Sequence, residues 1–299
     1  MYSGLLIVIV PLLIGYLLPV RHPRFAPWIS KVCGWMVYII LFLMGASLSY
    51  LDNLTSNLQH IFSTALVFFV CICVINMLAL CIMDKRWEWR VKLHQQKLPS
   101  RLRMAVDSLQ LLGVVAGGFI LGLLTQPLLA NAGKASEYAL IFLLWLIGMQ
   151  LRNSNMPLRQ ILLNRRGLVI AVVVFFSSLG GGTLAAWLLG LPWNTGLAIA
   201  SGFGWYSLSG IMLTDALGPV LGSAAFFNDL LRELVAIMLI PSLIRRYTST
   251  AVGIGGATAM DFTLPVIQRA GSVDLVPAAI VSGFLLSLSA PVLMALFAL

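Results

Sequence analysis

The chain has 299 residues, of which 60% are hydrophobic and 10% charged, with a net charge of +9. Soluble domains carry about 25% charged residues, so the composition excludes an ordinary soluble enzyme and describes an integral membrane protein. The positive balance does not point to nucleic acid, because Lys and Arg fall in short stretches between apolar runs.

The first run, 3–20 (SGLLIVIVPLLIGYLLPV), has no basic segment before it and no small-residue cleavage site, so it reads as a membrane helix and not a leader. Runs 32–50, 58–83, 105–128, 137–151 and 167–190 follow, each read as one helix through the bilayer. The stretches between them alternate in charge. Segment 21–31 holds Arg21, Arg24 and Lys31, 84–104 holds seven basic residues, and 152–166 holds Arg152, Arg159, Arg165 and Arg166. Segment 51–57 holds none and 129–136 only Lys134. Positive residues stay inside, which places the N-terminus outside and the basic stretches in the cytoplasm. The segment DKRWEWRVKLHQQKLPSRLR is then a cytoplasmic connector that fixes orientation, with an anionic-lipid or partner surface, suggested by Trp87 and Trp89, as the alternative.

Two interrupted segments come next. In 195–217, Gly202, Gly204, Ser207, Ser209 and Gly210 break an otherwise apolar run, and 251–268 is Gly-rich with Asp261 and Pro265. Helices 222–244 and 274–298 follow one each. If 195–217 turns back on itself, Arg245 and Arg246 stay inside. Every basic residue except Lys134 and Arg232 is then cytoplasmic. The fold class expected is an all-α polytopic membrane protein, with about eight spanning helices, two re-entrant or broken segments, and both termini periplasmic. A ten-span alternative moves only Arg245 and Arg246 to the other side.

The chain also resembles itself. LFLMGASLSYLDN (41–53) and LLWLIGMQLRNSN (143–155) centre on Gly45 and Gly148, and Gly15 and Gly118 repeat the same 103-residue offset. The organisation expected is a first repeat unit at 1–83, the basic connector at 84–104, an inverted second unit at 105–190, and a substrate and coupling region at 191–299. Inverted repeats characterise secondary transporters.

The chemistry concentrates in GSAAFFNDLLRELVAIMLIPSL, 222–243. Asp229 and Glu233 are four apart and share one helix face, while Arg232 can pair with Asp229 and Asn228 adds an amide. A charge at the centre of a membrane helix costs about 2.5–3.5 kcal/mol. Pairing accounts for Asp229 and Arg232 and leaves one carboxylate for a cation or a proton. Irregular backbone at membrane depth lines cavities, so Trp205, Tyr206, Ser207, Ser209, Asp261 and Thr263 join the candidate set. Asp52, at the end of its run, is a further candidate, and Asp107 and Asp215 rank below it. Cys33, Cys71, Cys73 and Cys81 have no metal-ligand spacing, and no cofactor is expected. An intramembrane aspartyl protease or a cation channel is the alternative, but Arg232 opposes a proton-sharing pair of acids. The three histidines lie in loops or at a helix end, and no nucleotide-binding loop occurs.

SGFGWYSLSG, GPVLGSAAFFNDLLRELVAIMLIP and GGATAMDFTLPVIQ resemble the bacterial lysine exporter LysO family. The resemblance continues through LLIVIVPLLIGYLLP, GWMVYIILFLMGASLSYLDN and LIGMQLRNSN. It implies an inner-membrane exporter of L-lysine that works as a secondary transporter and requires embedded acids, here Asp52 and Glu233. Proton antiport is the expected coupling, with lysine and H⁺ as partners, bilayer lipid around the chain, and a homo-oligomer a further possibility.

Overall fold

In the computed structural model the described residues are 10–11, 13–18, 25–49, 54–87, 89, 101–125, 132–153, 164–260 and 262–298, and they are helical with no strand among them. Asp52 and Asp261 lie outside the described residues, as does the side chain of Asp107. After a short helical stretch at 13–17, the helices are α1 (Phe25–Leu48), α2 (Leu54–Arg86), α3 (Arg101–Leu124), α4 (Ala132–Asn153) and α5 (Arg165–Leu189). Then come α6 (Trp193–Ala200), α7 (Tyr206–Leu217), α8 (Pro219–Leu243), α9 (Thr248–Gly253), a 3₁₀ turn (Gly256–Met260), α10 (Leu264–Ala270) and α11 (Val276–Phe297). Asn57–Arg86, Arg165–Leu189 and Val276–Phe297 are long and apolar enough to cross a bilayer.

Several helices outrun the apolar stretches that mark them. Helix α2 extends the 58–83 run to both sides and ends on Lys85 and Arg86. Helix α5 starts at Arg165, where the Asn164 side chain accepts from the Gly167 amide, and stops at Gly190 in a left-handed turn (φ 67°).

Helices α1, α3 and α4 pack together. They approach so closely that a side chain on Gly45 would run into the Val115 carbonyl, and one on Gly118 into the Phe42 carbonyl. Gly15, before α1, meets the Trp145 carbonyl of α4 in the same way. Small residues at crossings let backbones touch where no hydrophobic drive exists between helices.

The remaining helices form a second body around α2 and α5, which lie antiparallel. Asn76 Nδ2 donates to Ser178 Oγ at 3.0 Å, and the Ser177 and Ser178 hydroxyls both donate to Asn76 Oδ1. Helix α6 folds back along α5 with Gly196 against Gly182. Helix α7 then returns antiparallel to α8, with Thr214 beside Gly222, and Gly210 beside Phe226. The pair α6–α7 is therefore a hairpin that goes in and comes back to the end where it began. The stretch α9–α10 does the same from the opposite end. Its first turn is held by Asp84 of α2, and Gly271, at its close, packs on Ile244. Arg166 stacks on Trp87, and Thr248 Oγ donates to the Trp89 carbonyl, so Arg86, Arg165 and Arg245 gather at one end of the molecule.

Only part of 195–217 is irregular. Ser207, Ser209 and Gly210 are helical, within α7, and the break is confined to 201–205. There Phe203 (φ 50°) and Gly204 (φ 93°) take left-handed backbone. Glycine tolerates that conformation freely, whereas phenylalanine does so only under constraint from its surroundings. Phe203 is fully buried and its ring stacks on Phe175 of α5.

Candidate functional site

The two breaks meet. The Ala257 amide donates to the Phe203 carbonyl at 2.9 Å, joining the tips of the two hairpins. Gly256 (φ 58°) makes this possible, because a side chain there would collide with the same carbonyl. The second tip is closed on itself by Thr258 Oγ donating to the Gly255 carbonyl, and by the Thr263 amide and hydroxyl donating to the Thr258 carbonyl. The Thr263 hydroxyl thus closes its own loop.

Helix α8 runs past this joint and presents Asn228, Asp229, Arg232 and Glu233, all buried. Asp229 Oδ1 accepts from the Gly204 amide at 3.1 Å, from Asn228 Nδ2 at 2.9 Å and from Arg232 Nη1 at 3.4 Å. Its Oδ2 accepts from Ser209 Oγ at 2.7 Å. A carboxylate taken out of water is tolerable only with such a set of donors. The chain comes so near that a side chain at Gly202 would strike Oδ2. Asp229 therefore pins the first hairpin's break to α8.

Glu233 lies one turn further along α8 and is 2% exposed. Tyr206 places its ring edge-on against Phe226, with centroids 5.8 Å apart. Trp205 is half-buried at the break, Ser207 is buried in the first turn of α7, and Asp215 is exposed near the far end of α7. The structure thus gathers Asp229, Ser209, Asn228 and Arg232 into one bonded cluster, with Glu233, Trp205 and Tyr206 around it. An apolar seam of Leu41 (α1) and Val115 (α3) lies against Tyr206, Phe226 and Leu230, so the first body borders the same region.

Two polar residues that sequence reasoning passed over are structurally engaged. Asp84 is buried and accepts from the Ser249 amide (3.0 Å), the Thr250 amide (2.8 Å) and the Thr250 hydroxyl (2.7 Å). It stands beside Lys85 and Arg86 and looks like the start of the connector. Asn76 joins α2 to α5 and is the lone amide in FFVCICVINMLAL. An isolated amide in an apolar run was the available signal. Among the described residues no His, Cys, Asp and Glu cluster suited to a metal ion occurs.

The family model for the lysine exporter LysO matches residues 112–298. A relative from Escherichia coli (strain K12), "Lysine exporter LysO", is 58% identical over 297 residues, 99% of each chain. The chain belongs to the lysine exporter LysO family. A second member, the "Putative lysine exporter" of Haemophilus influenzae, is 45% identical over 188 residues, 63% of this chain and 96% of that protein. No solved structure matches. The family is one of membrane transporters and not of enzymes, and among the described residues α2, α5 and α11 are long and apolar enough to cross a membrane.

Proposed function

We propose that this chain exports L-lysine from the cytoplasm as a proton-coupled secondary transporter, with Glu233 as the acid that alternately holds a proton and the side-chain ammonium. The observation that carries this reading is the division of labour on α8. Asp229 is committed to the first hairpin's break by bonds from Gly204, Ser209 and Asn228, while Glu233 sits buried one turn away on the same face. The relatives named as lysine exporters supply the substrate. Moving a cation out against an inside-negative potential costs about 2.3 kcal/mol per 100 mV. Exchange for an incoming proton cancels that charge movement.

Eight spans, with two re-entrant hairpins from opposite faces and the basic ends in the cytoplasm, form part of this reading. It is supported by the return of α7 along α8 and of α10 toward Ile244. The inverted repeat is supported by a coincidence of packing. Gly15 against Trp145 and Gly118 against Phe42 are the same contact after the 103-residue offset, with the roles of the two halves exchanged. Asp52 and Asp261 stay in the proposal as further acids on the cation's route, and Trp205, Tyr206 and Ser207 as lining.

The test is purified protein in liposomes loaded with labelled lysine. An inward-directed proton gradient should drive efflux, and Glu233→Gln should abolish it. Efflux indifferent to the gradient would refute antiport, and normal efflux by Glu233→Gln would refute the site.

A further inference from the structure

Arg232 is more than the counter-charge of Asp229. Its single hydrogen bond among the described residues, from Nη1, is 3.4 Å long, whereas charge-assisted N–H···O bonds are typically about 2.7–2.9 Å. Asp229 already accepts shorter bonds from Gly204, Ser209 and Asn228. Arg232 is only 5% exposed, and the rest of its N–H fork has no hydrogen-bond acceptor among the described residues. Beyond Nη2 lies Gly256, whose missing Cβ position is 3.7 Å away.

Asn228 carries the opposite deficit. A carboxylate only accepts, so the Asn228 amide must turn its NH₂ toward Asp229. That sends Oδ1 the other way, where it is fully buried with no donor among the described residues. Asn228 and Arg232 are i and i+4 on α8, hence neighbours on one face, alongside the parallel pair Asp229 and Glu233. Unmet donors beside an unmet acceptor are the complement of an α-amino-acid head, in which a carboxylate sits beside an ammonium.

We propose that Arg232 and Asn228 form a head-group subsite, with the substrate carboxylate on the Arg232 guanidinium and the α-ammonium on Asn228 Oδ1. The subsite rests on the export reading above, and makes the substrate class free α-amino acids with a cationic side chain. A diamine of the same length, carrying the same distal ammonium, is disfavoured because it brings no carboxylate to the Arg232 guanidinium.

The test uses the unaltered protein in liposomes and compares exchange of labelled L-lysine for external L-lysine, L-lysine methyl ester or 1,5-diaminopentane. The ester and the diamine should exchange at least about tenfold more slowly than lysine, the loss expected when a charged hydrogen bond in a buried site has no partner. In Arg232→Gln the ratio of lysine to diamine exchange should fall toward one, and Arg232→Lys should recover part of the preference. Equal exchange of lysine and diamine by the unaltered protein would overturn the subsite and leave lysine export standing. No exchange of lysine at all would overturn both. Because the first comparison needs no substitution, misfolding of a variant cannot decide it.

Discussion

Removing the Asp84 carboxylate should loosen the second hairpin at its base. In Asp84→Ala the amides of Ser249 and Thr250 and the Thr250 hydroxyl lose acceptors now at 3.0, 2.8 and 2.7 Å. Both residues are fully buried, so water does not replace what is lost. Orphaning a buried donor costs about 1–3 kcal/mol. The two amides together set a scale of roughly 3 kcal/mol, or about a hundredfold in a local opening equilibrium. Hydrogen exchange in detergent micelles reads this directly, on peptides covering 248–260 and on others from α5. Protection should fall about a hundredfold in the first set and hold in the second. Asp84→Asn retains one acceptor oxygen and should fall between. Unchanged protection across 248–260, or an equal loss in α5, would show that Asp84 does not anchor the hairpin.

Asp229→Ala should destabilise by about 3–5 kcal/mol, because it leaves the Arg232 cation buried and unpaired. Adding Arg232→Met should restore part of the loss, a non-additivity that a double-mutant cycle of thermal melts will measure. Gly256→Ala should cost more than Gly204→Ala. Both need a left-handed residue, worth about 1–2 kcal/mol, but the methyl at 256 also meets the Phe203 carbonyl, whereas at 204 the nearest atom is the Gly255 oxygen at 3.8 Å. Melting temperatures of the two variants give the comparison. Asn76→Leu should weaken the α2–α5 contact by roughly 0.6–1.7 kcal/mol, the range for polar contacts between membrane helices, with no change in preference between lysine and the diamine.

The apolar runs were legible because a bilayer leaves the backbone no choice but to bond within each segment. Their ends were less legible. The hydrogen-bond ladder of α2 continues onto Lys85 and Arg86, where hydropathy has already fallen. Glycines announced both breaks but not their extent. Ser209 and Gly210 resemble loop residues in the sequence, yet they sit in α7 because one bonds Asp229 and the other makes room for Phe226. The Asp229–Arg232 pair followed from helical spacing alone. Its length did not, and that length separates a committed ion pair from a guanidinium with capacity to spare. Asp84 was hard to read because two of its three partners are main-chain amides 165 and 166 residues further on, which have no letter in a sequence, and the third is a single distant hydroxyl, that of Thr250.

The joint between the hairpin tips belongs to the same class. It is one peptide N–H, that of Ala257, on one peptide oxygen, that of Phe203. A scan replacing every polar side chain with alanine would leave it intact and record nothing. Selection would feel it only through changes that spoil it, a side chain at Gly256 that strikes the Phe203 carbonyl or a proline at 257 that has no N–H to give. Such a contact is inherited as geometry. Its trace in the genetic record is a vacancy, the hydrogen atom that Gly256 carries where every other residue has a carbon.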